Sequence, residues 1–225
     1  VVWTIVNPFF MMIVWSVVFS DLFRFDIENF PVYLLSGQVI FNFFNDTTTT
    51  SMGAIIGNGA LIKKIYVPKY LFVLSRVMSS FINLMASITA LIFVMLGTRV
   101  EMHWTVVLVP IPLFFLVTFS LGVGLFLAAV TVKFRDVMHL YSVFTTALMY
   151  LTPVIYPMSI LPGWLAIIVK ANPVTNILMM FRDVMMNGRL PSIQGIVVAV
   201  IEVALALGIG LYVFYKNQDE FILNI

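Results

Sequence analysis

The side chains of this chain that could do chemistry fall into three groups. The first is a row of polar residues in an apolar stretch: Gln38, Asn42, Asp46 and Thr50 stand four residues apart. At that spacing they share one slowly drifting face of a helix, and Asn45 and Thr49 widen it. Such a face can hydrogen-bond a hydroxyl-rich cargo, or it can glue one helix to another; for Asp46 both readings stand. Thr47 to Thr50 step about 100° each, so they cannot all face one side, and some must bond back to their own helix. The second group is cationic. Lys63, Lys64 and Lys69 fall within seven residues beside Tyr66 and Pro68, Arg76 follows, and Lys133 and Arg135 stand further on with Asp136. Between apolar runs, such loops are where a soluble motor can push. The third group does not assemble. His103 stands at the outer end of the fourth apolar run and His139 at the inner end of the fifth, a bilayer apart, so no metal site is expected. No Ser/His/Asp set or paired carboxylate converges, and Glu202 stands alone in a late apolar run, as an ion pair or a protonated acid. No GxxxxGK[ST] phosphate loop occurs. The chain is therefore expected to be no enzyme and to hold no cofactor; ATP and Mg²⁺, if used, bind a partner.

The elements that carry these groups belong in a bilayer. Hydrophobic residues make up 62% of the chain and charged residues 10%, against about a quarter charged in a soluble domain. The net charge of +2 argues against a nucleic-acid partner, and the absence of cysteine excludes disulfides and thiolate metal sites. A helical span needs roughly 20 mostly apolar residues. Six runs are read as spans: residues 1–20, 31–56, 71–97, 104–132, the shorter 139–153, and 193–215. The expected fold is all-α, a single transmembrane domain over residues 1–225 with six membrane helices. The chain opens on Val1 inside an apolar run, so a native N-terminal segment is expected before it. Basic residues are retained in short cytoplasmic loops. Lys63, Lys64, Lys69 and Arg76, then Lys133 and Arg135, then Lys216 mark one side. Arg24, Arg99, Lys170, Arg182 and Arg189 mark the other less densely, so both termini are expected in the cytoplasm.

Residues 154–190 are apolar but broken by Pro157, Pro162-Gly163 and Asn172-Pro173. The pieces Trp164–Val169 and Val174–Met186 are too short to cross. Pro162 and Pro173 suit first helical positions, with Asn172 as an N-cap. Two short helices between spans read as a re-entrant hairpin at the outer face, with Pro162, Gly163 and Trp164 as its gate. Irregular backbone at membrane depth must be buried in protein or face water, which implies a central cavity. Gly53 and Gly57 have the spacing that lets helices approach closely, and Gly122 and Gly124 read similarly. Trp104, Tyr156 and Trp164 fit an interfacial aromatic belt. Most of the 21 Phe should face lipid or core. Phe41, Phe43 and Phe44 beside the polar row are candidates to stack on the C–H face of a sugar.

Asn58 with Leu61-Ile62-Lys63-Lys64-Ile65-Tyr66-Val67-Pro68-Lys69 resembles the first cytoplasmic loop of the permease subunits of ABC polysaccharide exporters, the type-2 permeases of O-antigen, capsule and teichoic-acid export. Val132-Lys133-Phe134-Arg135-Asp136-Val137 is similar to their second cytoplasmic loop, and Thr152-Pro153-Val154-Ile155-Tyr156-Pro157 to the end of their fifth span. Asn172-Pro173-Val174-Thr175, followed by Phe181-Arg182-Asp183, resembles the segment before their last span. The family's amphipathic interfacial helix before the first span is absent from these residues.

The resemblance implies a homodimer with two ATPase subunits in the bacterial inner membrane. It implies export of a lipid-linked glycan, O-antigen-like, through the dimer interface. On that reading Lys63–Tyr70 forms a short helix that docks in the ATPase, and Lys63, Lys64, Tyr66, Pro68, Lys69, Lys133, Arg135 and Asp136 couple the subunits. Gln38, Phe41, Asn42, Phe44 and Asp46 line the channel. Lys63, Lys64, Lys69 and Arg76 meet the lipid pyrophosphate, or serve only to hold their loop in the cytoplasm. Other readings are a type-2 exporter of a drug or small lipid, a proton-coupled transporter using Asp46 and Glu202, and an intramembrane glycan enzyme.

Overall fold

The computed structural model describes Phe10 and residues 29–221. The first expected span, residues 1–20, lies outside the described residues but for Phe10. The described elements are α1 (Phe30–Met52), α2 (Gly59–Ile62), α3 (Tyr70–Gly97), α4 (Pro110–Lys133), α5 (Val137–Tyr150), α6 (Gly163–Lys170), α7 (Pro173–Met185) and α8 (Ile193–Asn217). Short 3-10 turns stand at Ile56–Asn58, Trp104–Leu108, Met158–Ile160 and Gln218–Glu220. Among the described residues every regular element is helical.

α4 is the centre. It packs against α8 on one side and α1 on the other, while α3 lies against both α1 and α4. A helix apolar all round belongs inside, and α4 buries residues around its whole circumference, from Leu113 and Phe115 to Leu127 and Ala128. Its contact with α8 is backbone to backbone: a Cβ added at Gly210 would stand 2.1 Å from the Gly122 carbonyl oxygen. Gly124 packs closely on α1, where its Cβ would meet Ser51 Oγ at 2.8 Å and Ser51 Cβ at 3.1 Å, side-chain atoms rather than backbone. Close packing at Gly122 and Gly124 is thus present. Gly53 and Gly57 differ: among the described residues Gly57 meets nothing within 4 Å and Gly53 nothing nearer than 3.9 Å, so they pack no described helix closely.

Three buried clusters result among the described residues. Leu34, Ile40, Leu91, Leu116, Ile177 and Phe181 anchor the largest, Ile55, Val73, Ala128, Phe214 and Phe221 belong to a second, and Met52, Leu127 and Tyr141 form a small third.

Among the described residues three helices are long and apolar enough to cross a membrane: residues 70–97, 104–133 and 193–220, the last two with their 3-10 turns included. The chain is a multi-pass membrane protein. The expected count of six is finer than these helices give. α1 has 23 residues, but its amides and Asp46 dilute its apolarity. α5 has 14 residues, or about 21 Å at 1.5 Å per residue, short of a bilayer core. α6 and α7 are bent by 87° at the break between them, and the pair forms either a broken span or a re-entrant loop. Asn172 caps α7 as expected: its Oδ1 accepts from Val174 N at 3.0 Å, with Pro173 in the first turn. Pro162 instead occupies the N-cap of α6, and Gly163 is the first helical residue.

The helix expected over Lys63–Tyr70 is displaced. The turn of helix lies earlier, at Gly59–Ile62, and residues 63–69 are irregular. Pro68 lacks an N–H and pushes Val67 away from the helical region, so no helix runs through to α3.

Candidate functional site

The polar row of α1 divides by face. Asn42, Asp46 and Thr49 are exposed and Gln38 is half-buried, so this side of α1 turns away from α4. Asp46 is anchored there: Ser80 Oγ of α3 donates to its Oδ2 at 2.5 Å. Thr48, Thr50 and Ser51 donate back to the carbonyls of Phe44, Asp46 and Thr47 at 2.7 Å each. Thr48 also accepts from the Tyr141 hydroxyl at 2.7 Å, which ties α1 to α5. Phe41, Phe43 and Phe44 do not accompany the amides. All three are at most 4% exposed, and Phe44 stacks on Phe119 of α4 with centroids 5.8 Å apart. Residues 41 and 44 stand about 100° from Asn42 or further, enough to carry them into the core. They offer no stacking surface to a cargo in this chain.

Arg182 is the feature that sequence reasoning missed, counting it as a loop charge. It is 3% exposed. Its guanidinium donates to Pro153 O at 2.7 Å, Val154 O at 3.1 Å, Tyr33 O at 3.0 Å and Ser36 Oγ at 3.1 Å. The Tyr33 ring lies 3.5 Å from it. Carbonyls just past a helix end lack intrahelical donors and carry the negative end of the dipole. The chain breaks after α5 at Thr152-Pro153, and the Arg182 fork satisfies the freed oxygens. Around it Tyr33 OH donates to Tyr156 O at 2.9 Å, and Asn172 Nδ2 to Thr152 Oγ1 at 3.0 Å. The separate motifs at 152–157, 172–175 and 181–183 thereby form one hub that fastens the bent pair α6–α7 to α1. Gly37 makes room for it: a Cβ there would stand 2.8 Å from Arg182 Nη2 and 2.9 Å from Val154 Cα. An Arg in an apolar segment, with the adjacent Asp183 about 100° away on a helix, was the available signal.

Glu202, left without a partner above, accepts from Asn176 Nδ2 at 3.2 Å. Gly163 and Trp164 sit on an open surface, with Trp164 68% exposed. Pro162 is exposed beside them.

The basic loops lie at one end of the bundle. Lys63, Lys64, Tyr66 and Pro68 are exposed, Tyr66 fully so. Arg76 is exposed on α3, and Arg135 and Asp136 are exposed in the turn before α5. Lys69 is half-buried, and its ammonium donates to the carbonyl of Gln218 at the end of α8. Lys133 pairs with Glu220 at 3.9 Å. Among the described residues no cluster of His, Cys, Asp or Glu could hold a metal ion.

Comparison with known proteins bears on this arrangement. O-antigen export system permease protein RfbA of Myxococcus xanthus is 26% identical over 221 residues, covering 97% of this chain and 85% of that protein. Two proteins of the same name from Klebsiella pneumoniae are 25% and 26% identical with the same coverage. The profile of ABC-2 type transporters matches residues 1–186, which takes in the polar row, both basic loops and the Arg182 hub. The match covers more than four-fifths of the chain and agrees with the long apolar helices among the described residues, so the chain belongs to the ABC-2 type transporter family.

Proposed function

We propose that this chain is the membrane-spanning half of an ATP-driven exporter. Two copies form the pathway between them, and two separate ATPase subunits bind ATP and Mg²⁺. The cargo is a lipid-linked polysaccharide of the O-antigen type, carried across the bacterial inner membrane, with both chain termini in the cytoplasm. The relatives' names, as O-antigen export permeases, support the cargo. The observation that carries the pathway is the exposed row on α1. Asn42 and Asp46 are not consumed by the chain's own core, and Gln38 is only half-buried. An exposed row of amide and carboxylate along an apolar bundle is costly in lipid, even with Ser80 donating to Asp46, and it is compatible with a water-filled path.

On this reading Gln38, Asn42 and Asp46 hydrogen-bond sugar hydroxyls as the polymer slides. Lys63, Lys64, Tyr66, Pro68, Arg135 and Asp136 meet the ATPase. Lys63, Lys64 and Arg76 offer charge-assisted donors to the lipid diphosphate. Pro162, Gly163 and Trp164 border the outer exit. The buried Phe41 and Phe44 and the engaged Lys69 serve the fold instead, while the exposed Lys133 stays among the residues that meet the ATPase.

The test is export of lipid-linked glycan in vesicles holding the chain and its ATPase. Combined Asn42→Ala and Asp46→Asn changes should slow long chains more than short ones while the complex still assembles. Normal export of long chains by that assembled variant would place the pathway elsewhere. Export that continues without the ATPase and stops on dissipating the proton gradient would replace the whole reading with a proton-coupled one.

A further inference from the structure

The end of α8 reaches back to both basic loops, and its contacts are of three kinds. The first is polar. Gln218 follows the last residue of α8 and opens a 3-10 turn, in which its carbonyl accepts from the Phe221 backbone N–H and keeps a second lone pair, at the negative end of the α8 dipole. The Lys69 ammonium, from the close of the first basic loop, donates to that carbonyl. The same ammonium stands 5.8 Å from the centroid of the Phe221 ring, within cation–π range. The second contact is apolar. Phe221 is 1% exposed and sets its ring edge-on to Phe214, with centroids 5.2 Å apart. Its buried cluster draws Ile55, Ile62 and Val73 from the flanks of the first loop and Ala129 and Val132 from the approach to the second. The third contact is ionic. Glu220 reaches Lys133, the last residue of α4, at 3.9 Å. Both side chains are more than half exposed, so this pair adds little by itself.

A single stretch, Gln218–Phe221, therefore touches one loop by hydrogen bond, the other by an ion pair, and the flanks of both through one buried cluster. We propose that this stretch is a clasp that holds the two basic loops as one rigid unit, with Phe221 as its pin and Lys69 as its latch. Displacement of one loop is then passed to the other, so the two cannot be pushed independently. These are positioning residues: they act through the loops and touch no cargo. The mechanical claim concerns this chain alone. Its consequence for transport rests on the proposed role of the loops in coupling.

The chain has no cysteine, so spin labels can be placed without background. Ile65→Cys and Met138→Cys put one label on each loop side at exposed positions, 48% and 37% exposed. The full-length labelled chain is diluted with unlabelled chain in nanodiscs, and the distance distribution between labels is read by pulsed electron resonance. The clasp predicts a narrow distribution that broadens about twofold in Lys69→Gln and in Phe221→Ala as the end of α8 opens locally. Lys69→Arg, which keeps a donor and a charge, should restore the narrow distribution. An unchanged width in both Lys69→Gln and Phe221→Ala overturns the clasp. Lys69→Gln removes no core volume, so it keeps the test decisive if Phe221→Ala does not fold. With the ATPase added, the broadened variants should hydrolyse more ATP per glycan exported. Broadening with an unchanged ratio leaves the clasp standing and refutes the coupling role of the loops.

Discussion

Replacing Arg182 by Met removes the guanidinium while keeping most of its volume, and the local geometry sets the cost. Four acceptors lose a donor: the carbonyls of Pro153, Val154 and Tyr33, and Ser36 Oγ. They are not equal. The Ser36 hydroxyl still donates to Tyr33 O at 2.7 Å, so Tyr33 keeps a donor. Pro153 retains only a long contact of 3.4 Å from the Tyr33 hydroxyl, and Val154 O loses its side-chain donor. Two buried carbonyls left bare cost about 1–3 kcal/mol each. The lost stacking over Tyr33 adds about 1–2 kcal/mol in a desolvated site. Partial relaxation around the break reduces the sum, and about 3–5 kcal/mol is expected, as for other broken buried charge sites. At 1.4 kcal/mol per decade, that is a change of more than about 100-fold in the unfolding equilibrium. Arg182→Lys should fall between, because an ammonium cannot reproduce the planar fork. The assay is a denaturing-detergent titration of the purified chain in mixed micelles, followed by far-UV circular dichroism. Gly37→Ala gives an independent check, since its Cβ would press on Arg182 Nη2 and on the Val154 backbone. If Arg182→Met stays within about 0.5 kcal/mol of the parent, the freed carbonyls find other partners, and the hub does not fasten α6–α7 to α1.

Gly210→Ala should destabilise the chain by at least the ~1–3 kcal/mol typical of overpacking, because the neighbour that must yield is the Gly122 carbonyl, and the same titration measures it. Arg135 is exposed in the second loop, so Arg135→Ala should leave insertion and stability unchanged while lowering export per ATP hydrolysed; normal export would remove it from coupling. A cysteine at Gly163, where a Cβ meets nothing within 4 Å, should react with an impermeant bulky maleimide from outside the cell and block export. Labelling only from the cytoplasmic side would reverse the assignment of that hairpin.

Much of this protein is legible along the chain because bilayer insertion depends on local composition. The positions of α3, α4 and α8 follow from apolar runs about 20 residues long, and Asn172-Pro173 marks the start of α7 by cap chemistry that involves neighbours only. The periodicity of Gln38, Asn42 and Asp46 likewise places them on one face without knowledge of the fold. What periodicity cannot supply is the identity of the neighbour on each side. Phe41 and Phe44 look like companions of Asn42 in sequence, yet α4 fills the space beside them and takes both into the core. Lys69 reads as one more exposed cation until the end of α8, 149 residues later, presents a carbonyl to it. Arg182 reads as a loop charge until the break after α5 and the first turns of α1 converge on it from 28 to 149 residues away. Each of these outcomes rests on a hydrogen bond or a packing contact between distant segments. The free energy of such a contact exists only after the helices meet, so only the tertiary structure decides it.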